Sequence, residues 1–437
     1  MGVNARRLAL SLLAEWESGD KYINLLLDSP RTRELAAQDR RFLTALLYGT
    51  VERLCTLDAI IARLTHKPAD KLAPNTRRLL RLGLYQLLYM EGVSNHAAVN
   101  ETVSLASNRG ERGFVNAVLR AATRDESILT PPAREKDAVA HLSFAYGFPP
   151  LLVSHFLAEY GEEDTEALLS AFNRTAPLTL RVNTEKTDRA TLLSALAEEG
   201  IAATPTTYSP YGLRLAESVD PTSLYGFDEG LFFVQDEASQ IATAAAGIPQ
   251  GARVIDTCAA PGGKSFGAAM AAGKAGSVLS LDLHESKLSL IRSSAERLGL
   301  ANLTARAHDG RSPDPTLIGS ADVVLCDAPC SGLGVLGKKA DLRHRAATRT
   351  DLPPLQTQIL SAAATYVKAG GVLLYSTCTL STRENAAVAH AFAEAHPEFL
   401  FEDFAVGALS SQGGMLTLLP HRHGTDGFFI AKFRKQD

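Results

Sequence analysis

Apolar residues recur at three- and four-residue steps from Asn4 to about Arg124. Leu8, Leu12 and Trp16 stand four apart, and Arg40 to Leu64 mixes both steps. That period puts one apolar stripe on a helix, so the stretch predicts a run of amphipathic helices. Asn75 or Thr76 is placed to cap the helix through Tyr89, and Ser94 or Asn95 the next one. Gly110 is expected to stop that helix before Phe114–Ala122. Residues 1–127 therefore read as an all-α domain. Thr130-Pro131-Pro132 lies among charged residues, a composition that suits a linker better than a helix interior.

From 138 to 230 the pattern mixes periods. Helical stretches at Pro150–Tyr160, Asp164–Phe172 and Arg189–Glu199 alternate with strand-like Leu178–Val182, Gly212–Leu215 and Leu231–Val234. This predicts a small α+β domain. Over 231–437, short apolar strands at Arg253–Asp256, Ser277–Asp282, Leu303–Arg306, Asp322–Cys326 and Val372–Ser376 alternate with helices at Lys264–Ala272, Glu285–Leu298 and Leu355–Lys368. Such alternation predicts an open, mostly parallel α/β sheet, Rossmann-like, with helices on both faces. Met415–Leu419 and Phe428–Phe433 read as a closing hairpin.

Composition bounds this picture. The 437 residues suit three domains, and 46% hydrophobic with 21% charged residues excludes a disordered or fibrous chain. The apolar stretch Leu79–Val93 carries Arg81 and Glu91 and is shorter than the roughly 20 residues a spanning helix needs. Arg6 and Arg7 precede an apolar run that Glu15 ends, too short for a secretory core. The expectation is a cytoplasmic protein that makes no membrane contact. Its net charge of −4 argues against nucleic acid only as an average, because Met1–Arg124 carries +6 and the remainder −10. Five unevenly spaced cysteines make a disulfide framework improbable. Cys326 and Cys330 lack the second pair that a zinc site requires, and His421-Arg422-His423 reads as a surface loop, so no metal is expected.

In open α/β sheets ligands lie beyond the carboxyl ends of the strands. The first such loop is Asp256-Thr257-Cys258-Ala259-Ala260-Pro261-Gly262-Gly263-Lys264-Ser265. Paired glycines at a helix start let backbone amides approach a ligand. Gly263-Lys264-Ser265 also resembles the end of a P-loop, with Val323–Asp327 as the magnesium-holding strand. Cys258 stands where the first P-loop glycine belongs, however, and Pro261 removes an amide. Asp282 closes the second strand at the distance where an acid holds a ribose diol, and Asp309 follows the third, placed to accept from an adenine amino group. The fourth strand runs into Asp327-Ala328-Pro329-Cys330-Ser331-Gly332 and the fifth into Tyr375-Ser376-Thr377-Cys378-Thr379. Two thiols thus reach the same sheet edge beside a nucleoside pocket, a setting for nucleophilic chemistry. Spacing alone leaves open which thiol attacks.

Taken together, DTCAAPGGKS, DAPCSG and YSTCT resemble the signature of the S-adenosylmethionine-dependent RNA cytosine-C5 methyltransferases. His96–Glu101 and Gly113–Arg120 are similar to the NusB-like RNA-binding domain, and Asn173–Asn183 to the segment that precedes the catalytic domain in that family. Across nearly the whole chain the combination resembles the bacterial RsmB/Sun ribosomal RNA methyltransferases.

The resemblance implies Cys378 as nucleophile on cytosine C6 and Cys330 as the thiol that helps release product. Asp327 would contact the cofactor or the cytosine ring, and Lys264 the active-site nucleotide or the thiolate. S-adenosylmethionine would lie on Cys258, Ala259, Ala260, Pro261, Gly262, Gly263, Lys264, Asp282, Asp309 and Asp327. The expected partner is 16S ribosomal RNA, free or in a partly assembled small subunit, bound by a monomeric enzyme whose small middle domain also touches RNA. The chain departs from the family at Gly337–Asp341, where a basic proline-containing stretch is expected, and at His344, where an aromatic is usual. Those departures bear on RNA contacts. The alternatives are the same chemistry on another ribosomal or transfer RNA site, a non-catalytic antitermination-like RNA binder, and a P-loop NTPase.

Overall fold

Leu8, Leu12 and Trp16 are buried on one face of the helix Ala5–Glu17, capped by the Asn4 side chain. Around it in the computed structural model, which describes residues 4–19, 21–217, 219–345 and 351–437, the chain divides into two units. One comprises Met1–Asn173 with Lys338–Ala347, the other Arg174–Gly337 with Thr348–Asp437.

The first unit is helical. Its long helices are Ala5–Glu17, Ala37–Glu52, Leu54–Thr65, Pro74–Tyr89, Asn95–Ser104, Arg109–Ala122, Ala138–Tyr146 and Pro150–Phe172. One core joins Leu8, Leu12, Trp16, Leu43, Leu46 and Leu82. A second joins Leu57, Ile60, Leu79, Leu80, Val115 and Leu119. Ser94 caps its helix as expected, but two local expectations fail. Asn75 and Thr76 lie inside a helix that Pro74 begins, and their side chains bond Glu111 instead. Gly110 sits in the first turn of the helix that Asn108 caps, so Asn108 and not Gly110 marks the boundary. Gly161, at φ 74°, breaks Pro150–Phe172 into the two expected segments. Both of these, with Ala138–Tyr146, belong to the helical unit, although their period groups them with the α+β region.

The short helix Ala340–Arg345 completes this unit from far along the chain. Asp341, 3% exposed, accepts from Trp16 Nε1 at 2.6 Å and the Ile23 amide at 3.1 Å. Arg343 donates to Phe172 O and Asn173 Oδ1 and lies over the Phe148 ring. His344 meets Val51 O at 2.9 Å and the edge of Trp16, and burial pushes its pKa down to about 4. Of the residues that depart from the family pattern, Ala340 and Asp341 are therefore buried in the helical unit and His344 is partly buried there, while Lys338 and Lys339 are exposed.

The second unit holds two main sheets. β1 (Thr179–Val182), β2 (Ala203–Pro205), β3 (Gly212–Leu215) and β4 (Phe232–Val234) form an antiparallel sheet in the order β2-β3-β1-β4. The larger sheet takes β5 (Arg253–Asp256), β6 (Ser277–Asp282), β7 (Leu303–Ala307), β8 (Ala321–Asp327), β9 (Val367–Thr377), β10 (Phe399–Phe401), β13 (Met415–Leu418) and β14 (Phe428–Lys435). β11 (Ala405–Val406) and β12 (Leu409–Ser410) pair separately. The order of the larger sheet is β10-β14-β9-β8-β5-β6-β7, with β13 on β14. Strands β5 to β9 pair in parallel, while β10, β13 and β14 run antiparallel at one edge. Apolar cores cover both faces, which explains why β8 and β9 read as unbroken apolar runs. β5 is flanked by β6 on one side and β8 on the other. The loops after β5 and β8 therefore diverge around the crevice where such sheets bind ligands.

Candidate active site

The loop after β5 is shaped by what lies beneath it. Gly262 has φ 110°, and a Cβ there would collide with the Phe266 ring. Only glycine combines that backbone conformation with that approach. The helix Gly263–Ala272 then opens toward the strand ends. Ser265 points inward and donates to Asp256 Oδ2 at 2.6 Å while accepting from Ser280. The NTPase reading fails on this geometry, since a P-loop serine must be free to reach magnesium. Asp256 is fully buried, with its other oxygen unpartnered, and burial pushes its pKa up to about 6.

Lys264 crosses to β8, where its Nζ lies 2.7 Å from Asp327 Oδ2 and 5.0 Å from the centre of the Phe428 ring. Burial lowers the pKa of this amine, but Asp327, Asp256 and Cys378 together hold it above the ordinary lysine value. Lys264 is thus a fixed cation. Asp327 also accepts from Ser376 Oγ at 2.8 Å, so the ends of β8 and β9 share one carboxylate.

Cys330 and Cys378 come together, with Sγ–Sγ 3.2 Å, both partly exposed. The hydrogen bond to Cys378, with burial added, pushes the Cys330 thiol well above the usual range. Cys330 is therefore held as a thiol, in contact with the Cys378 sulfur. Burial likewise holds Cys258 well above its ordinary value, and Cys55 and Cys326 up to about 12, so these three are inert thiols. Gly334 laces the two thiol loops together. Its amide donates to Cys378 O at 2.9 Å, its carbonyl accepts from Gly427 N at 2.9 Å, and any side chain on it would strike Gly427.

Among the remaining expected residues, Asp282 is 8% exposed and accepts from the Ala260 and His284 amides. Its position at the end of β6, beside the Cys258–Gly263 loop, suits a ribose diol. Asp309 lies at the same edge and is half-buried, and Arg311 grips it through its side chain and its amide and pulls its pKa down to about 2. Ser376, from the YSTCT motif, and Phe428 also shape the site, as do Gln356 and Glu384, to which no motif pointed. Buried Arg181 packs so closely on the helix Gly263–Ala272 that Gly267 admits no side chain. Among the described residues no group of three or more His, Cys, Asp or Glu is placed to hold a metal, and no helix is long and apolar enough to cross a membrane.

Comparison with known proteins adds three family matches: 16S rRNA methyltransferase RsmB/F over residues 247–434, NusB family over 3–124, and the RsmF/B-like ferredoxin-like domain over 148–222. A Synechocystis protein named "Probable ribosomal RNA small subunit methyltransferase B" is 38% identical, covering 99% of this chain and 100% of its own. Among solved structures, that of PH0851 has TM-score 0.78 at 26% identity, covering 99% of this chain and 98% of its own. NSun6 from Pyrococcus horikoshii, solved with SFG, shares the fold at TM-score 0.58 and 23% identity over 66% of this chain and 99% of its own.

Proposed function

The chain belongs to the RsmB/F family of 16S rRNA methyltransferases, and from that premise we propose that it methylates C5 of one cytidine in small-subunit ribosomal RNA through a covalent adduct on Cys378. The family is S-adenosylmethionine-dependent. The crevice suits that cofactor, with the Asp282 carboxylate for hydroxyls, the apolar Cys258–Pro261 ledge for a ring, and the open N-terminus of Gly263–Ala272 for a carboxylate. Asp309, held by Arg311, takes part only if that pair opens. The bound cofactor supplies an electrophilic methyl group on sulfonium sulfur.

The observation that carries this reading is the thiol pair, Sγ–Sγ 3.2 Å, at the same strand ends as the Lys264–Asp327 ion pair. Cytosine C5 is a weak nucleophile until a thiolate adds to C6 and pushes electron density onto it. Beside Cys330, which burial and the contact with Cys378 hold protonated, Cys378 takes the role of attacking thiolate, and the Lys264 cation that it helps hold charged favours that thiolate. Asp327 and Lys264, paired at 2.7 Å, present an acceptor and a cation to the polar edge of the base. After methyl transfer the C5 proton leaves to a base, the C6–S bond breaks, and the electron pair returns to sulfur. Cys330, protonated and touching that sulfur, assists the release. The target base has to leave its stack to reach the thiols. We place recognition of the RNA on the basic helical segment and the small antiparallel domain, with 16S rRNA, free or in an assembling subunit, as substrate.

Bisulfite sequencing of total RNA from cells with and without the gene tests this. One 16S cytosine that resists conversion only when the gene is present supports it. Protection confined to another ribosomal or transfer RNA moves the address and keeps the chemistry; no change anywhere overturns the reading.

A further inference from the structure

Behind the two thiols lies a buried polar cluster in which Glu384 is the hub. Its carboxylate, 4% exposed, accepts from the Ser331 amide at 2.9 Å, the Ser331 hydroxyl at 2.5 Å and Gln356 Nε2 at 2.9 Å. Gln356, fully buried, also donates to Pro329 O at 3.0 Å. The residues on both sides of Cys330 are thus held by one Glu–Gln pair. Ser331 Oγ in turn meets Thr379 Oγ1 at 2.7 Å, which ties the loop to the residue after Cys378. Asn385, next in the chain after Glu384, takes the Thr377 hydroxyl at 2.6 Å and donates to Thr379 O at 3.0 Å. The Glu384 carbonyl accepts from Tyr375 at 2.6 Å.

No salt bridge to Glu384 is formed among the described residues, so its role is not to neutralise a cation. A buried carboxylate is costly unless its oxygens are filled, and here three donors fill them, two from Ser331 in the Cys330 loop and one from Gln356, which also holds Pro329 O. The network joins residues 329, 331, 377 and 379, the immediate neighbours of both thiols. Two loops from different strands meet at a sulfur–sulfur distance of 3.2 Å only if something holds them in register.

We propose that Glu384, with Gln356, is a positioning residue for product release: it holds the Cys330 thiol against the Cys378 sulfur while Cys378 is bonded to cytosine. The proposal rests on the two-thiol reading above. It differs from a plain stabilising role because it concerns one step. Cys378 lies on the loop that directly continues β9, whose register is set by β8 and β14, so attack and methyl transfer survive a slack Cys330 loop. Release does not.

The test follows one turnover of the full-length protein on small-subunit ribosomal RNA with S-adenosylmethionine, scoring the protein–RNA adduct on a denaturing gel and methylcytidine by mass spectrometry. For Glu384→Ala the expected result is adduct formation within about twofold of wild type, release slowed at least tenfold, and adduct accumulation like that of Cys330→Ala. Glu384→Gln restores release, since the amide oxygen still accepts from the Ser331 amide and Gln356 while the Ser331 hydroxyl turns to accept. In a Cys330→Ala background Glu384→Ala adds nothing further. Where Glu384→Ala fails to fold, Gln356→Leu frees Pro329 O and is expected to slow release in the same selective way. Parallel slowing of attack and release, or an additive effect with Cys330→Ala, overturns the proposal. An active Cys378→Ala enzyme, or no adduct from Cys330→Ala, overturns instead the two-thiol reading beneath it.

Discussion

Burial and the contact with Cys378 hold Cys330 protonated, and the proposed roles divide accordingly, with Cys378 attacking and Cys330 assisting release. Cys378→Ala is expected to lower methyl transfer by on the order of 10³-fold or more while leaving cofactor affinity unchanged, because the thiol forms a bond that nothing else in the crevice can form. Measured turnover within tenfold of wild type would remove the nucleophile from Cys378. Asp256 makes a different prediction. Burial raises its pKa to about 6 from an unfolded value near 3.8, so the folded state binds the proton more tightly. Its stabilising effect is complete below the unfolded value and is lost as pH rises through the folded one. Asp256→Asn does not titrate. The variant is therefore expected to gain about 1–2 kcal/mol relative to wild type between pH 5 and pH 8, as read from urea midpoints at both pH values. A constant gap would show that Asp256 is ionised throughout.

At the scale of elements, the parallel strands were legible because burial on both faces writes them as short apolar runs. β5 and β6 fall on Arg253–Asp256 and Ser277–Asp282 as the period places them. The loops that carry the proposed catalytic residues stood out because small residues, prolines and thiols leave few other readings at strand ends. What stayed hidden were contacts made across hundreds of residues. Nothing in Lys338–Arg345 announces that Asp341 bonds Trp16, 325 positions away, and Glu384 sits in Ser-Thr-Arg-Glu-Asn with no motif to mark its partners. Local signals mislead in the same way at Gly110, which reads as a stop but falls inside a helix that Asn108 has already capped. Asp341→Ala tests the tertiary reading directly. It strands two buried donors, Trp16 Nε1 and the Ile23 amide, and is expected to lower the stability of the helical unit by about 1–3 kcal/mol. Trp16 is the chain's single tryptophan, so its fluorescence in urea reports this unit selectively. An unshifted midpoint would mean that Lys338–Ala347 contributes nothing to that core.

For the molecule as a whole, a net charge of −4 conceals a +6 segment ending at Arg124 and a −10 remainder. A polyanionic substrate responds to local charge, not to the sum, because each phosphate neutralised releases counterions. Arg109, Arg112 and Arg124 are exposed and lie on or just after the helix Arg109–Ala122. No ion pair engages them among the described residues, which leaves all three available to phosphate. The affinity of the full-length protein for 16S rRNA is therefore expected to fall steeply between about 50 and 200 mM salt. Replacing the three arginines by glutamine should flatten the logarithmic slope by about 2–3, at roughly 0.7–0.9 for each phosphate that is no longer neutralised. The catalytic crevice draws none of its residues from this segment, so the single-turnover rate at saturating RNA should stay within about twofold of wild type. An unchanged slope would place the phosphate contacts on residues other than these three arginines.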